Sequence, residues 1–365
     1  MRATRRSFLT TLATSALHGQ SEKSKSFPPE WRRYSDPATE FEVYRLTDPA
    51  HSSQLPAYYN RTLAHRSAFL LFSSDRTGTR QAFRMDLKSG ECRQVTQSGE
   101  LDPGSLTLLP DDRGFCLFDG RSLRHVNIAN ARDRQVYQVP DGWKRGPGFS
   151  VTGDGLSGLF SEVRDQSSRL RRVSVGSGVA ATVVETAFTP SDPVARPRRA
   201  QILYRQGDEG LWLVNFDGKQ NRRLKTAPEG KIGPAIWSPN GRTVLYLFNP
   251  DDKTQLVSIR EHTPDENLDK PVAKTSQFAH FSSNGDSSVF VGASRNKSSP
   301  HVLILLRLTR RELTLCEHKS SDPSTVAPLF SPDSQRIFFQ SDRDGKPALY
   351  RVSVQKFVEE TVSGE

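Results

Sequence analysis

The chain has 365 residues, of which 35% are hydrophobic and 25% charged, and it carries a formal net charge of +10. Its three cysteines, an odd number with no CxxC pair among them, argue against a disulfide framework and against a zinc site. No segment approaches the roughly 20 consecutive apolar residues that a membrane-spanning helix requires.

The N-terminus reads first as a leader. Thr4-Arg5-Arg6-Ser7-Phe8-Leu9-Thr10 runs into a short apolar stretch that ends at Leu17, which is the twin-arginine arrangement of a bacterial export signal. Residues 1–20 are therefore expected to be a signal peptide that sends the folded protein to the periplasm or the exterior. No sharp small-x-small cleavage point stands out between Ala13 and Gly19. Residues 21–37, rich in Ser and Lys and containing Pro28-Pro29, read as a linker, and residues 38–365 as one domain.

Phe41-Glu42-Val43-Tyr44-Arg45-Leu46-Thr47 follows as a lone strand ahead of a repeat. The repeat is a polar turn, an apolar strand, a short Gly-containing loop and another strand. Its turns fall near His65, Pro110, Gly153, Pro197, Pro239, Asn284 and Pro332, at intervals of about 42 to 48 residues. Four antiparallel strands with their turns fill that length, so the pattern predicts an all-β, seven-bladed β-propeller. The first and last copies are clearest: Leu70-Leu71-Phe72-Ser73-Ser74-Asp75-Arg76-Thr77-Gly78 before Ala82–Leu87, and Ile337-Phe338-Phe339-Gln340-Ser341-Asp342-Arg343-Asp344-Gly345 before Ala348–Val352. The lone strand is expected to complete the last blade, closing the ring and covering its edge. Cys92, Cys116 and Cys316 fall in or beside strands of different blades and read as buried hydrophobes.

In a propeller the first strand of every blade lines the central channel, so the residues at the starts of those strands share one rim. In chain order they are Tyr58, Tyr59 and Arg61, then Asp102 and Ser105, Lys144 and Arg145, Asp192, Lys231, His280 and Thr325. That rim reads as mostly basic and partly aromatic. Tyrosines offer a face to a sugar ring, and Arg grips a carboxylate through two parallel bonds. Removing residues 1–20 takes away three arginines and no acids, leaving +7. For an exported protein this surplus points to an acidic oligosaccharide rather than nucleic acid. No nucleophile-and-base pair, Gly-rich phosphate loop or pair of catalytic carboxylates emerges.

Tyr58-Tyr59-Asn60-Arg61, the span from Leu70 to Leu87, Phe278-Ala279-His280-Phe281-Ser282-Ser283-Asn284 and the span from Phe330 to Tyr350 together resemble the oligogalacturonate lyases, a polysaccharide lyase family built on a seven-bladed propeller related in form to TolB-type propellers. The resemblance implies β-elimination on short pectin fragments, with a divalent metal, usually manganese, on the uronate carboxylate and a histidine as base. It places His280 on one metal-ligand position. It also implies losses: Asp322, Thr325 and Ala327 stand where a Gln and two His are expected, Pro234 stands at the base and Gly210 at an assisting Arg. The substrate-binding expectation accordingly rests on Tyr58, Tyr59, Arg61, Lys144, Arg145 and Lys231, with catalysis reduced or absent. The alternative is a TolB-like, non-catalytic interaction platform, favoured if the channel is blocked and no sugar binds. The sequence leaves the oligomeric state open.

Overall fold

The computed structural model describes residues 25–361, so the twin-arginine segment and the whole of 1–20 lie outside the described residues. Thirty strands among the described residues form seven antiparallel sheets. Strands β1 (Ser26–Phe27), β2 (Arg32–Ser35) and β3 (Glu42–Arg45) precede the repeats. Blade 1 then comprises β4 (Ser53–Gln54), β5 (Phe69–Ser74), β6 (Gln81–Asp86) and β7 (Cys92–Gln94), and blade 2 comprises β8 (Thr107–Leu108), β9 (Gly114–Asp119), β10 (Ser122–Asn127) and β11 (Asp133–Gln138). Blade 3 has β12 (Lys144–Val151), β13 (Ser157–Arg164), β14 (Ser167–Ser174) and β15 (Ala180–Thr186); blade 4 has β16 (Ser191–Ala195), β17 (Gln201–Gln206), β18 (Gly210–Asn215) and β19 (Arg222–Arg223). Blade 5 is β20 (Gly230–Trp237), β21 (Val244–Pro250), β22 (Ser258–Thr263) and β23 (Leu268–Lys274), and blade 6 is β24 (Phe278–Ser283), β25 (Val289–Ser294), β26 (His301–Leu306) and β27 (Arg311–Glu317). Blade 7 is built from β28 (Leu329–Phe330), β29 (Arg336–Ser341) and β30 (Ala348–Ser353), with β3 and then β2 added outside. No helix among the described residues is long and apolar enough to cross a membrane.

The sequence pattern explains the layering. Second strands such as Phe69–Ser74 and Val289–Ser294 are buried at every residue because neighbouring blades cover both faces, so they read as continuous apolar runs. Outer strands such as β15 alternate with exposed residues. The core is divided in the same way, into seven clusters, one at each blade interface: Phe118, Phe149 and Phe160 pack between blades 2 and 3, and Tyr204 and Leu170 between blades 3 and 4. Each such side chain contributes about 1.5–3 kcal/mol on burial. The three cysteines are buried and unpaired.

Closure follows the expectation from the lone strand. Val43 pairs with Val352, Tyr44 with Arg351 and Arg45 with Tyr350, while the Leu46 N–H donates to Leu349 O at 2.7 Å. The segment read as a linker is corrected for residues 25–37, because β1 pairs with β7 and β2 pairs with β3. Its sparse aromatics anchor it: Trp31 meets Tyr44 edge-on, Phe27 meets Phe83, and Glu30 binds the buried Arg76 at 3.1 Å. A Ser-, Lys- and Pro-rich composition masked those anchors.

Candidate functional site

Blade 1 lacks a continuous inner strand. After β4 pairs with Ser73 and Ser74 the chain leaves the sheet, and it returns only at Thr62 and Leu63, which pair back onto Leu71 and Leu70. The residues between cross the central channel and touch every other blade. Ala57 N donates to Gly104 O ahead of β8, and the Asn60 side-chain amide donates to Gly104 O and to Phe149 O of blade 3 at 3.1 and 3.0 Å. The Tyr59 hydroxyl donates to Asp192 of blade 4 at 3.1 Å, and Ala235 N of blade 5 donates to the Tyr58 hydroxyl at 3.2 Å. Tyr58 also packs against His280 of blade 6, and Leu55 N donates to the Gln340 side chain of blade 7 at 2.7 Å. One segment thus ties the ring together and separates a mouth at the inner-strand starts from a mouth at their turn ends.

This crossing decides where the expected rim residues fall. Tyr58 and Tyr59 stand in the crossing, edge-on to each other with centroids 4.9 Å apart. Burial pushes the Tyr58 phenol up to about 12, and burial together with the neighbouring Asp192 pushes Tyr59 well up, so both stay protonated hydrogen-bonding groups. Arg61 does not join the rim. It emerges on the opposite side, bound to Asp112 at 2.6 Å, to Leu109 O and to the His65 ring.

At the inner-strand starts the expected basic rim is corrected to a charge-paired one. Arg145 is paired with Asp102 and lies over the Phe118 ring, and Lys231 is paired with Asp208 at 2.7 Å. Lys144 is exposed. Ser105 is buried, its hydroxyl bridging Asp102 O and Phe118 N, and Thr325 caps its own turn by donating to Asp322 O. Three further polar residues enter this mouth from the ends of the second strands and the loops after them. Arg205 reaches Asp192 at 3.5 Å and Ile232 O at 2.9 Å, Arg295 donates to Asn249 Oδ1 and Phe278 O, and Asp208 follows β17. The hairpin register that sets Arg205 opposite Ser191 and Ser294 opposite Phe278 was the signal that could have found them. Bulges in β12, β16, β20 and β24 all fall near this end and re-aim its side chains. In the first of them Gly148 has φ +85°, and a Cβ there would come within 2.7 Å of Asp192 N.

His280 is buried, its Nδ1 has no hydrogen-bond partner, and burial pushes it down to about 4, so the ring is neutral. A neutral imidazole is a competent ligand or acceptor. Yet among the described residues no group of three or more His, Cys, Asp or Glu side chains is placed to hold a metal ion. Asp322, the nearest replacement in sequence, spends its carboxylate on Ser324 N and Ser324 Oγ at 2.9 and 2.7 Å. Thr325 is a weak donor and Ala327 offers none. Pro234 lies in the β20 bulge, and Gly210 starts β18 with the Arg223 side chain 2.8 Å from where a Cβ would be. The residues present do not fit a manganese site of the kind the resemblance implies, since a hard divalent ion needs several oxygen or imidazole donors in a near-octahedral set.

Comparison with known proteins agrees with the sequence resemblance. Residues 21–158 match the sequence model of the oligogalacturonate lyase family. The chain is 24% identical to an oligogalacturonide lyase of Pectobacterium atrosepticum and 23% identical to an oligogalacturonate lyase of Dickeya dadantii, in both cases across 91% of this chain and 98% of the relative. Among solved structures it superposes on an oligogalacturonate lyase in complex with manganese with a TM-score of 0.86 at 24% identity, and on an oligogalacturonate lyase from Vibrio parahaemolyticus with a TM-score of 0.85 at 21% identity, each over 91% of this chain and 98% of the other. The likeness to the solved structures runs the length of the ring and bears out the seven-bladed fold.

Proposed function

On this family match we propose that the chain binds short pectin-derived oligogalacturonides at the mouth formed by the inner-strand starts, and that it cleaves them poorly or not at all. The observation that carries the reading is His280: the histidine that the resemblance sets at a metal position stands neutral and buried, and among the described residues no group of three or more His, Cys, Asp or Glu side chains is placed to hold a metal ion. Lys144, Arg205 and Arg295 supply cationic donors for uronate carboxylates, and Asp102 and Asp208 supply acceptors for ring hydroxyls. A mouth of alternating charge suits a chain that is both acidic and polyhydroxylic.

β-Elimination needs a group to take the proton next to the carboxylate and a way to stabilise the charge that develops there. Pro234 has no proton acceptor, and general-base catalysis alone contributes roughly 10²–10⁴-fold. The test pairs calorimetry on trigalacturonate with absorbance at the unsaturated-uronate band, with and without added manganese. Binding without product formation supports the reading. Strong manganese-dependent product formation overturns the loss of catalysis.

The crossing at Tyr58–Asn60 favours a second reading, that of a non-catalytic interaction propeller, because it blocks the channel that a threaded substrate would use. An intact fold with no affinity for trigalacturonate would move the assignment there. We also propose export by the twin-arginine route to the periplasm or the exterior, on the Arg5-Arg6 motif.

A further inference from the structure

Five of the seven turns that end the inner strands use an acidic or amide side chain to hold themselves. The third residue of the turn accepts from the backbone N–H two positions on: Asp111 from Arg113, Asp154 from Leu156, Asn240 from Arg242, Asp286 from Ser288 and Asp333 from Gln335, all at 2.9 to 3.1 Å. Blade 4 departs from this rule. Its hairpin has the same span, since Arg196 N donates to Gln201 O as Ser238 N donates to Thr243 O in blade 5, yet the equivalent third residue is Arg198. A guanidinium has no acceptor and cannot make the local bond. Arg198 is exposed, and among the described residues no ion pair or side-chain hydrogen bond holds it. Its φ of +61° lies in the left-handed region, which a long side chain without a local hydrogen bond adopts at a cost. Blade 4 thus forgoes a turn bond and accepts backbone strain to carry a cation at this point. Arg66 takes the same place in blade 1 but lies outside the hollow that Arg198 lines.

That hollow, of about 670 Å³, opens at the turn-end mouth between the turns of blades 1 to 5. Arg196, Arg198 and Arg199 line it, and Asp154 is the one carboxylate in its lining, accepting from Thr152 Oγ1 at 2.6 Å and from Leu156 N at 2.9 Å. The nearest counter-charge to the arginines is Asp265, outside the hollow. Its carboxylate is gripped by buried Arg196 through two bonds of 2.8 and 2.9 Å and stands 3.6 Å from Arg199, whose side chain is 60% exposed. The hollow therefore keeps a net positive charge, whereas the mouth at the inner-strand starts is charge-paired. We propose that it is a second ligand site, across the crossing from His280, which takes an oxyanion (a carboxylate, sulfate or phosphoryl group) on the Arg198 and Arg199 guanidinium groups. A guanidinium fork matches two oxygens of such a group. Apolar wall from Pro110, Pro239 and Phe216 keeps water back and strengthens the attraction. The inference does not rest on the oligogalacturonide reading.

The experiment is calorimetry at low ionic strength on the full chain with inorganic phosphate, sulfate and D-galacturonate, for the parent and for Arg198→Asn. Asparagine is the residue of the blade 5 turn, so it can supply the missing local bond and tolerates positive φ. At least one anion is expected to bind the parent, and Arg198→Asn to bind it about tenfold more weakly while melting at the same temperature or higher. Weakening for phosphate or sulfate alone identifies a phosphoryl or sulfate group as the ligand, and weakening for galacturonate identifies a uronate carboxylate; either upholds the site. Galacturonate held at the His280 mouth would bind both proteins equally. The proposal is overturned if no anion binds, if Arg198→Asn binds every anion as tightly as the parent, or if its melting temperature falls, which would make Arg198 a structural residue.

Discussion

The phenol ring of Tyr58 meets the imidazole of His280 edge-on, with centroids 4.6 Å apart and planes at 76°. Through this contact a segment of blade 1 reaches the inner strand of blade 6, and through its hydroxyl the same tyrosine satisfies Ala235 N of blade 5. Tyr58→Ala removes both and is expected to cost about 2–5 kcal/mol of stability. Tyr58→Phe keeps the ring and loses only the acceptor, for about 1–2 kcal/mol. Urea unfolding of the two variants measures the difference, and equal losses would mean the ring contact contributes nothing.

His280 also predicts a pH dependence. Its folded value lies near 4 against an ordinary 6.5, through burial, so the folded chain holds the neutral ring while the unfolded chain begins to protonate near 6.5. The contribution is fully present above pH 6.5 and is lost as the pH falls from there toward 4, amounting to something on the order of 3 kcal/mol. His280→Gln should lack this component. Unfolding curves at pH 7, 5.5 and 4 for both proteins isolate it, since every other histidine titrates in both. Parallel pH profiles would remove His280 as the cause.

Restoring the expected ligand set should restore metal binding without restoring turnover. The triple variant Asp322→Gln, Thr325→His, Ala327→His places three donors on the turn that precedes β28, beside His280. Manganese titration by calorimetry is expected to show a site in the variant and none in the parent, while product formation stays low because Pro234 is unchanged. Tight manganese binding by the parent chain would reverse this expectation.

Deleting residues 26–47 should expose the edge of β30 and the inter-blade face that Val43 covers. An unpaired strand edge with an apolar flank recruits other chains. Gel filtration is expected to show aggregates. A monodisperse truncation as stable as the parent would show that blade 7 closes without β3.

Replacing both Arg5 and Arg6 by Lys should leave the protein in the cytoplasm if the leader works as proposed. Fractionation of cells expressing the two forms is the measurement, and equal export would dismiss the motif.

The sequence by itself determined the ring. Seven turn signals from His65 to Pro332 set the number of blades, and the lone strand around Val43 had no partner except the last blade, because every other unit already held four strands. Tertiary structure decided the rest. Local pattern cannot tell that the chain from Leu55 to Arg61 leaves its sheet and crosses the channel, because that path is stabilised by partners as distant in sequence as Asp192, Ala235 and Gln340. The same path sends Arg61 to the opposite mouth and sets Tyr58 and Tyr59, both half-buried, as ties across the channel. Pairing of Arg145 with Asp102 and of Lys231 with Asp208 likewise arises between strands or turns that meet only when the blades fold, so a rim that reads as basic along the chain is charge-paired in space.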